Sequence, residues 1–237
     1  SPMCWHRLLT FDAKLSAYNP TDSGTKLGSL WLKPATAPQG VFGEWSVMDN
    51  SDIAVAAKAL LRSSFDTNAI SGFLAAVGKS VAVHRAYVFE FERPGRSTVL
   101  AHQRYEWNSG ASEPQIDNPE LQNLNMTETL GNWLEAFDQG HPYYGVVRTF
   151  SPAERELLES QEIRSILVCP IHLEDNVWGF AGFDDCVNER QWAFEERSVL
   201  QHASTALACG LRQRSLRARL DAARGALGRI IDDTSLT

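Results

Sequence analysis

The sequence predicts an α+β fold: a central antiparallel β-sheet with helices on one face and a ligand pocket on the other. Three observations carry this. Apolar residues recur at helical spacing before residue 80 and again after residue 190, while the chain between alternates aromatic, β-branched and polar residues in short runs. Two pairs of these runs are joined by turn signals, Arg93-Pro94-Gly95-Arg96 and Glu174-Asp175-Asn176. The second hairpin, its strands paired by counting, has one wholly apolar face and one mixed face.

In chain order, residues 1–50 are rich in Gly, Pro, Ser and Thr and read as an irregular N-terminal extension. From Ser51, the residues Ile53, Ala56, Ala57, Leu60 and Leu61 mark an amphipathic helix. Asp66 caps a second one that carries Ile70, Phe73, Leu74 and Val77. Val83–Glu92 and Ser97–Trp107 form the first hairpin. Residues 108–125 are dense in Asn, Pro, Gly and Ser and predict a long loop of the kind that often holds function. A helix starting at Thr127 or Glu128 follows, with Leu130, Trp133, Leu134 and Phe137. Tyr143–Phe150 reads as a strand, and Ser151 with Glu154 makes a capping box. Ile163–Leu173 and Val177–Asp184 form the second hairpin. From Arg190 to Ile231 no proline occurs, which predicts one long helix with an interruption near Gly210.

Composition narrows the function classes. In a chain of 237 residues with 43% apolar and 22% charged residues, a folded core is expected. The net charge of -7 disfavours nucleic acid, whose binding depends on cationic side chains. No apolar run of 18 residues is present, so no membrane span is expected. Cys4, Cys169, Cys186 and Cys209 form no Cys-x-x-Cys pair, and reduced thiols in the cytoplasm fit that spacing. The six histidines show no metal-ligand spacing, and Gly78-Lys79-Ser80 lacks the upstream glycine of a phosphate loop. No cofactor, metal or catalytic residue is expected.

Counting back in twos from Leu173 opposite Val177 pairs Ile171 with Gly179, Cys169 with Ala181 and Leu167 with Phe183. This apolar face, with its small Gly179 and Ala181, is assigned to the helices. The opposite face carries Arg164, Ile166, Val168, His172, Trp178, Phe180 and Asp184. With Tyr105, Trp107 and Trp133 it would line a pocket for a flat or heterocyclic ligand, the aromatics as walls and Arg164 toward an anionic group. The competing reading is that the loop 108–125 covers this face and Arg164 pairs with Asp184. Asp184 and Asp185, adjacent in a strand, point to opposite faces and cannot act as a catalytic pair.

The stretches Ser165-Ile-Leu-Val-Cys-Pro-Ile-His, Trp178-Gly-Phe-Ala-Gly-Phe-Asp-Asp-Cys and Arg190-Gln-Trp192 resemble the GAF domains of bacterial multidomain signalling proteins. Tyr105-Glu-Trp-Asn, Pro114-Gln-Ile-Asp-Asn-Pro-Glu-Leu-Gln-Asn-Leu and Ser151-Pro-Ala-Glu-Arg continue the likeness in order. The resemblance implies a GAF-like sensory domain over 51–212, a module that binds an unidentified small molecule and regulates an attached output domain; residues 213–237 beyond it read as a C-terminal helical stalk. The Asn-Lys of cyclic-nucleotide-binding relatives is absent, and no cysteine precedes a histidine as at bilin attachment sites. The rival enzyme is the GAF-fold free methionine sulfoxide reductase, which would need Cys169 and Cys186 as reactive thiols. Another rival is a purely structural dimerisation module with an occluded pocket.

Leu216, Leu220, Ala223, Leu227 and Ile230 recur at spacings of 4, 3, 4 and 3 along one helix stripe. The stripe predicts a homodimer through the first and last helices. The other reading is that it packs on the chain's own first helix.

Overall fold

In the computed structural model, residues 50–234 are described, except Ser64 and Arg96. The predicted N-terminal extension lies outside the described residues. Six antiparallel strands form one sheet in the order β3-β2-β1-β6-β5-β4. They are β1 (Arg85–Glu92), β2 (Leu100–Asn108), β3 (Leu124–Asn125), β4 (Tyr143–Val146), β5 (Ser165–Leu173) and β6 (Asn176–Asp185).

One face is covered by α1 (Asn50–Arg62), α2 (Thr67–Ser80) and α6 (Phe194–Thr234). Asp66 caps α2 by accepting from the Ala69 N–H at 2.8 Å. Ile70, Phe73, Leu74 and Val77 of α2 and Leu200, Ala203 and Leu207 of α6 bury against Leu167, Cys169, Ile171, Ala181 and Phe183, the face assigned to helices. Gly210 does not interrupt α6. A Cβ there would lie 2.3 Å from the Phe65 ring, so its bareness lets the helix seat closely. Among the described residues no helix is long and apolar enough to cross a membrane.

The other face carries a second core under α3 (Met126–Thr129), α4 (Gly131–Asp138) and α5 (Pro152–Glu159). The expected single helix near Trp133 is broken at Leu130, whose φ of -129° leaves the helical region. The Ser151–Glu154 capping box opens α5.

Two bulges set which side chains face which way. In the second hairpin the turn is Glu174-Asp175 rather than three residues, and Leu173 pairs with Asn176. Ile171 pairs with Gly179 but His172 with Val177, so Trp178 is the unpaired residue of a bulge. In the first hairpin Val88 pairs with Tyr105 but Phe89 with Gln103, which leaves Arg104 unpaired.

Candidate functional site

Alternation along β1 turns Arg85, Tyr87, Phe89 and Phe91 to the face away from the long helices. Arg85 stands opposite Asp184 in the β1–β6 register. The two side chains, 1% and 0% exposed, form an ion pair in which the Arg85 Nε and Nη2 each lie 3.2 Å from Asp184 Oδ2. Arg85 also donates to the carbonyls of Gln161 at 2.9 Å and Glu113 at 3.2 Å. The Tyr87 hydroxyl donates to Asp184 Oδ1 at 2.8 Å. Gly182, opposite Tyr87, permits that reach, since a Cβ there would stand 2.1 Å from the Tyr87 ring.

Burial raises the Asp184 carboxyl to about 6, outweighing the Arg85 charge and the Tyr87 hydrogen bond that favour its ionised form. The Tyr87 phenol is raised well above its ordinary value by burial and then by the Asp184 charge. Against the opposing effect of burial, the Asp184 carboxylate keeps Arg85 firmly protonated.

Beside this network lies a cavity of about 20 Å³. Its apolar wall is aromatic: Phe89 and Phe180 stack with centroids 4.9 Å apart and planes 5° apart, and Trp133 meets Phe180 edge-on at 5.8 Å. Gln103, Gln115, Gln161, Leu121, Leu124 and Leu130 complete much of the lining. The segment 109–125 covers part of the cavity as a lid, lining it with Gln115, Leu121 and Leu124, and is tied down by the buried Leu121 and by polar bonds. The Gln115 N–H donates to the Glu106 carboxylate at 2.8 Å, Gln122 Nε2 to the Gln103 carbonyl at 3.1 Å, and Arg85 to Glu113. A loop cover and a pocket thus coexist on this face.

Of the residues predicted to line the pocket, Trp133, Phe180 and Asp184 do so. Ile166 is buried in the same core but does not line the cavity. The other four need correcting. Tyr105 and Trp107 pair with Val88 and Ala86 and pack in the helix-side core. Trp107 lies so close on α2 that a Gly78 Cβ would meet it at 2.2 Å. Trp178, turned by its bulge, also packs on the helix side. Arg164 is exposed at the entrance to β5, beside Glu159, Glu162 and Cys186, and Asp184 takes Arg85 as its partner instead. Of the missed residues, Arg85 and Tyr87 had one sequence signal, polar side chains in step with Phe89 and Phe91 along β1, whereas Gln103 of β2 joins them only through its pairing with Phe89.

Asp185 points the other way and ends the strand, its Oδ1 accepting from the Val187 and Asn188 N–H groups at 3.0 and 2.8 Å. Cys169 and Cys186 are free thiols outside the cavity lining. Burial pushes Cys169 up to about 12 and raises Cys186 as well, which disfavours the thiolate a reductase needs.

An antiparallel sheet with long helices on one face and shorter helices and a cavity on the other is the fold of GAF domains. The GAF domain family matches residues 68–211, and this chain belongs to it. It is 41% identical over 174 residues to the methanogenesis regulatory histidine kinase FilI of Methanothrix harundinacea, covering 73% of this chain and 20% of that protein. The chain therefore spans about a fifth of that relative's length. Among solved structures it resembles the phycocyanobilin-bound GAF domain of a cyanobacterial phytochrome, with a TM-score of 0.59 and 17% identity over 71% of this chain and 97% of that one. The blue-light-absorbing form of the Thermosynechococcus elongatus PixJ GAF domain matches with a TM-score of 0.52 and 15% identity, over 76% and 96% of the two chains. At these identities the structural likenesses show the fold.

Proposed function

We propose that this GAF domain is the small-molecule-sensing module of a signal-transduction protein, with the lidded cavity as its receptor site and the terminal helices as its output. The observation that carries this reading is the Arg85–Asp184–Tyr87 network built into the cavity wall. A buried ion pair is often no more stabilising than apolar packing of the same volume, so its presence points to a role beyond packing. Catalysis would belong to an attached output domain. A histidine kinase as output, as in FilI, would place the module in the cytoplasm, where ATP is available.

The cavity has room for about one water molecule, far below the roughly 300 Å³ of an ordinary ligand pocket. A ligand of metabolite size must therefore move the lid, and so binds two arrangements of the domain unequally. That inequality is what a sensor needs. Strand β6 supplies the route outward, since Phe180 and Asp184 face the cavity while Ala181 and Phe183 pack against α2 and α6. The same small volume favours a second reading, a structural dimerisation module whose pocket is permanently filled by its own side chains. Native mass spectrometry of protein purified from cells separates the two. A retained small-molecule mass supports sensing, and a bare chain supports scaffolding.

A further inference from the structure

Two residues that line the cavity each carry a buried polar atom with no partner within the protein: the Trp133 indole Nε1–H and the Gln103 side-chain carbonyl, on residues 2% and 4% exposed. A buried donor or acceptor left unpaired destabilises the fold, so a donor and an acceptor orphaned on residues of one cavity lining point to what an occupant could complete. Most of the other polar groups of the wall are committed. Arg85 is spent on Asp184 and two carbonyls, Tyr87 on Asp184, the Gln103 amide on Glu106 at 3.1 Å, and the Gln161 amide on the Leu157 carbonyl at 3.0 Å. A third orphan, Trp192 Nε1, lies in the helix-side core away from the cavity.

The charges of the wall cancel within the Arg85–Asp184 pair. A carboxylate ligand would add a second anion beside Asp184, and a cation would add one beside Arg85, each desolvated without a counter-ion. Resting on the sensor reading above, we propose that the site takes an uncharged, flat, largely apolar molecule bearing a carboxamide or lactam group. Its carbonyl accepts from Trp133 Nε1–H, its N–H donates to Gln103 Oε1, and its body lies against Phe89 and Phe180. The anionic ligand expected from Arg164 gives way to a neutral one, because the arginine at the cavity is Arg85 and it is already paired.

The test titrates the ¹⁵N-labelled full chain with benzamide, benzoate and toluene at neutral pH. It follows the Trp133 indole cross-peak, assigned by its loss in Trp133→Phe. The expected result is that benzamide shifts this peak and binds about tenfold tighter than benzoate or toluene, the combined weight of two modest hydrogen bonds. Gln103→Met, followed at the indole peak, and Trp133→Phe, followed at the backbone amide peaks that benzamide shifts, should each cut that advantage to about threefold. Benzoate binding as tightly as benzamide, or benzamide binding insensitive to both substitutions, overturns the proposal. So does a cross-peak that no probe moves, the outcome if a single fixed water bridges the two groups. Native mass spectrometry then tells the failures apart. A small molecule retained from cells beside an unmoved cross-peak removes only the neutral-amide assignment, whereas a bare chain with an unmoved cross-peak removes the sensor reading too.

Discussion

A charged side chain sealed inside a protein is tolerated while its counter-charge stays with it, and Arg85 and Asp184 are each other's condition for burial. Their titration has a definite sign. Burial lifts the folded-state Asp184 carboxyl from 3.8 to about 6, so the folded state holds this proton more tightly than the unfolded chain does. The group's contribution to stability is fully present below about pH 4 and is lost as pH rises through about 6. Arg85 limits that loss by stabilising the carboxylate. Arg85→Met should therefore destabilise the domain by about 3–5 kcal/mol at pH 7.5, where Asp184 must either be buried without its counter-charge or take up a proton. The deficit should shrink at pH 5, where both proteins bury a neutral acid. Urea denaturation of wild type and variant at the two pH values measures this, and a deficit independent of pH would show that Arg85 acts through its carbonyl contacts alone.

At the scale of elements, glycines show where the backbone needs space. A Cβ on Gly179 would stand 2.0 Å from the Phe89 carbonyl oxygen, a backbone atom of the paired strand that cannot rotate away. Gly179→Ala should cost about 3 kcal/mol, the upper end for an overpacked site. Gly72 is exposed on α2 with nothing within 4 Å of a Cβ, and Gly72→Ala should stabilise by about 0.5–1 kcal/mol. Denaturation midpoints of the two variants should move in opposite directions. The sequence was informative where the cause was local: the Asp66 cap, the Ser151–Glu154 box, and the pairing of Leu167 with Phe183, Cys169 with Ala181 and Ile171 with Gly179. That register came out right although the turn has two residues rather than three, because the bulge at Trp178 supplies the missing residue. The same bulge reverses the face of Trp178. Strict alternation likewise gave no hint of the bulge at Arg104, since a bulge is set by strand twist and pairing geometry that leaves no mark on the hydrophobic pattern. Arg85 was missed for a related reason: its partner Asp184 is 99 residues away, and only the β1–β6 register brings them together.

For the whole molecule, the question is how a change in the cavity leaves the domain. α6 continues past its packed segment, and residues 213–234 extend for roughly 30 Å at the helical rise. There Leu216, Leu220 and Leu227 are 55%, 51% and 61% exposed, so the stripe does not fold back on the chain's own first helix. Val55 of α1 is also exposed, at 68%. Ile230, the last residue of the predicted stripe, has no described side chain. We propose that a second copy covers these leucines, with the two stalks side by side and arginines toward water, since large apolar residues repeated along one side of an exposed helix suit a partner. Each leucine so covered adds about 1.5–3 kcal/mol when fully buried, and in a two-fold dimer each substitution counts twice. Leu216→Asp with Leu220→Asp should therefore halve the mass read by light scattering at micromolar concentration. Far from both cores, the same pair should leave the thermal melt of a ligand-free monomer within a degree or two, in keeping with the small effect of exposed substitutions. If wild type and variant scatter as the same species, the stalk is not the dimer seam, and the movement of β6 against α6 would have to be read by the output domain of a single chain.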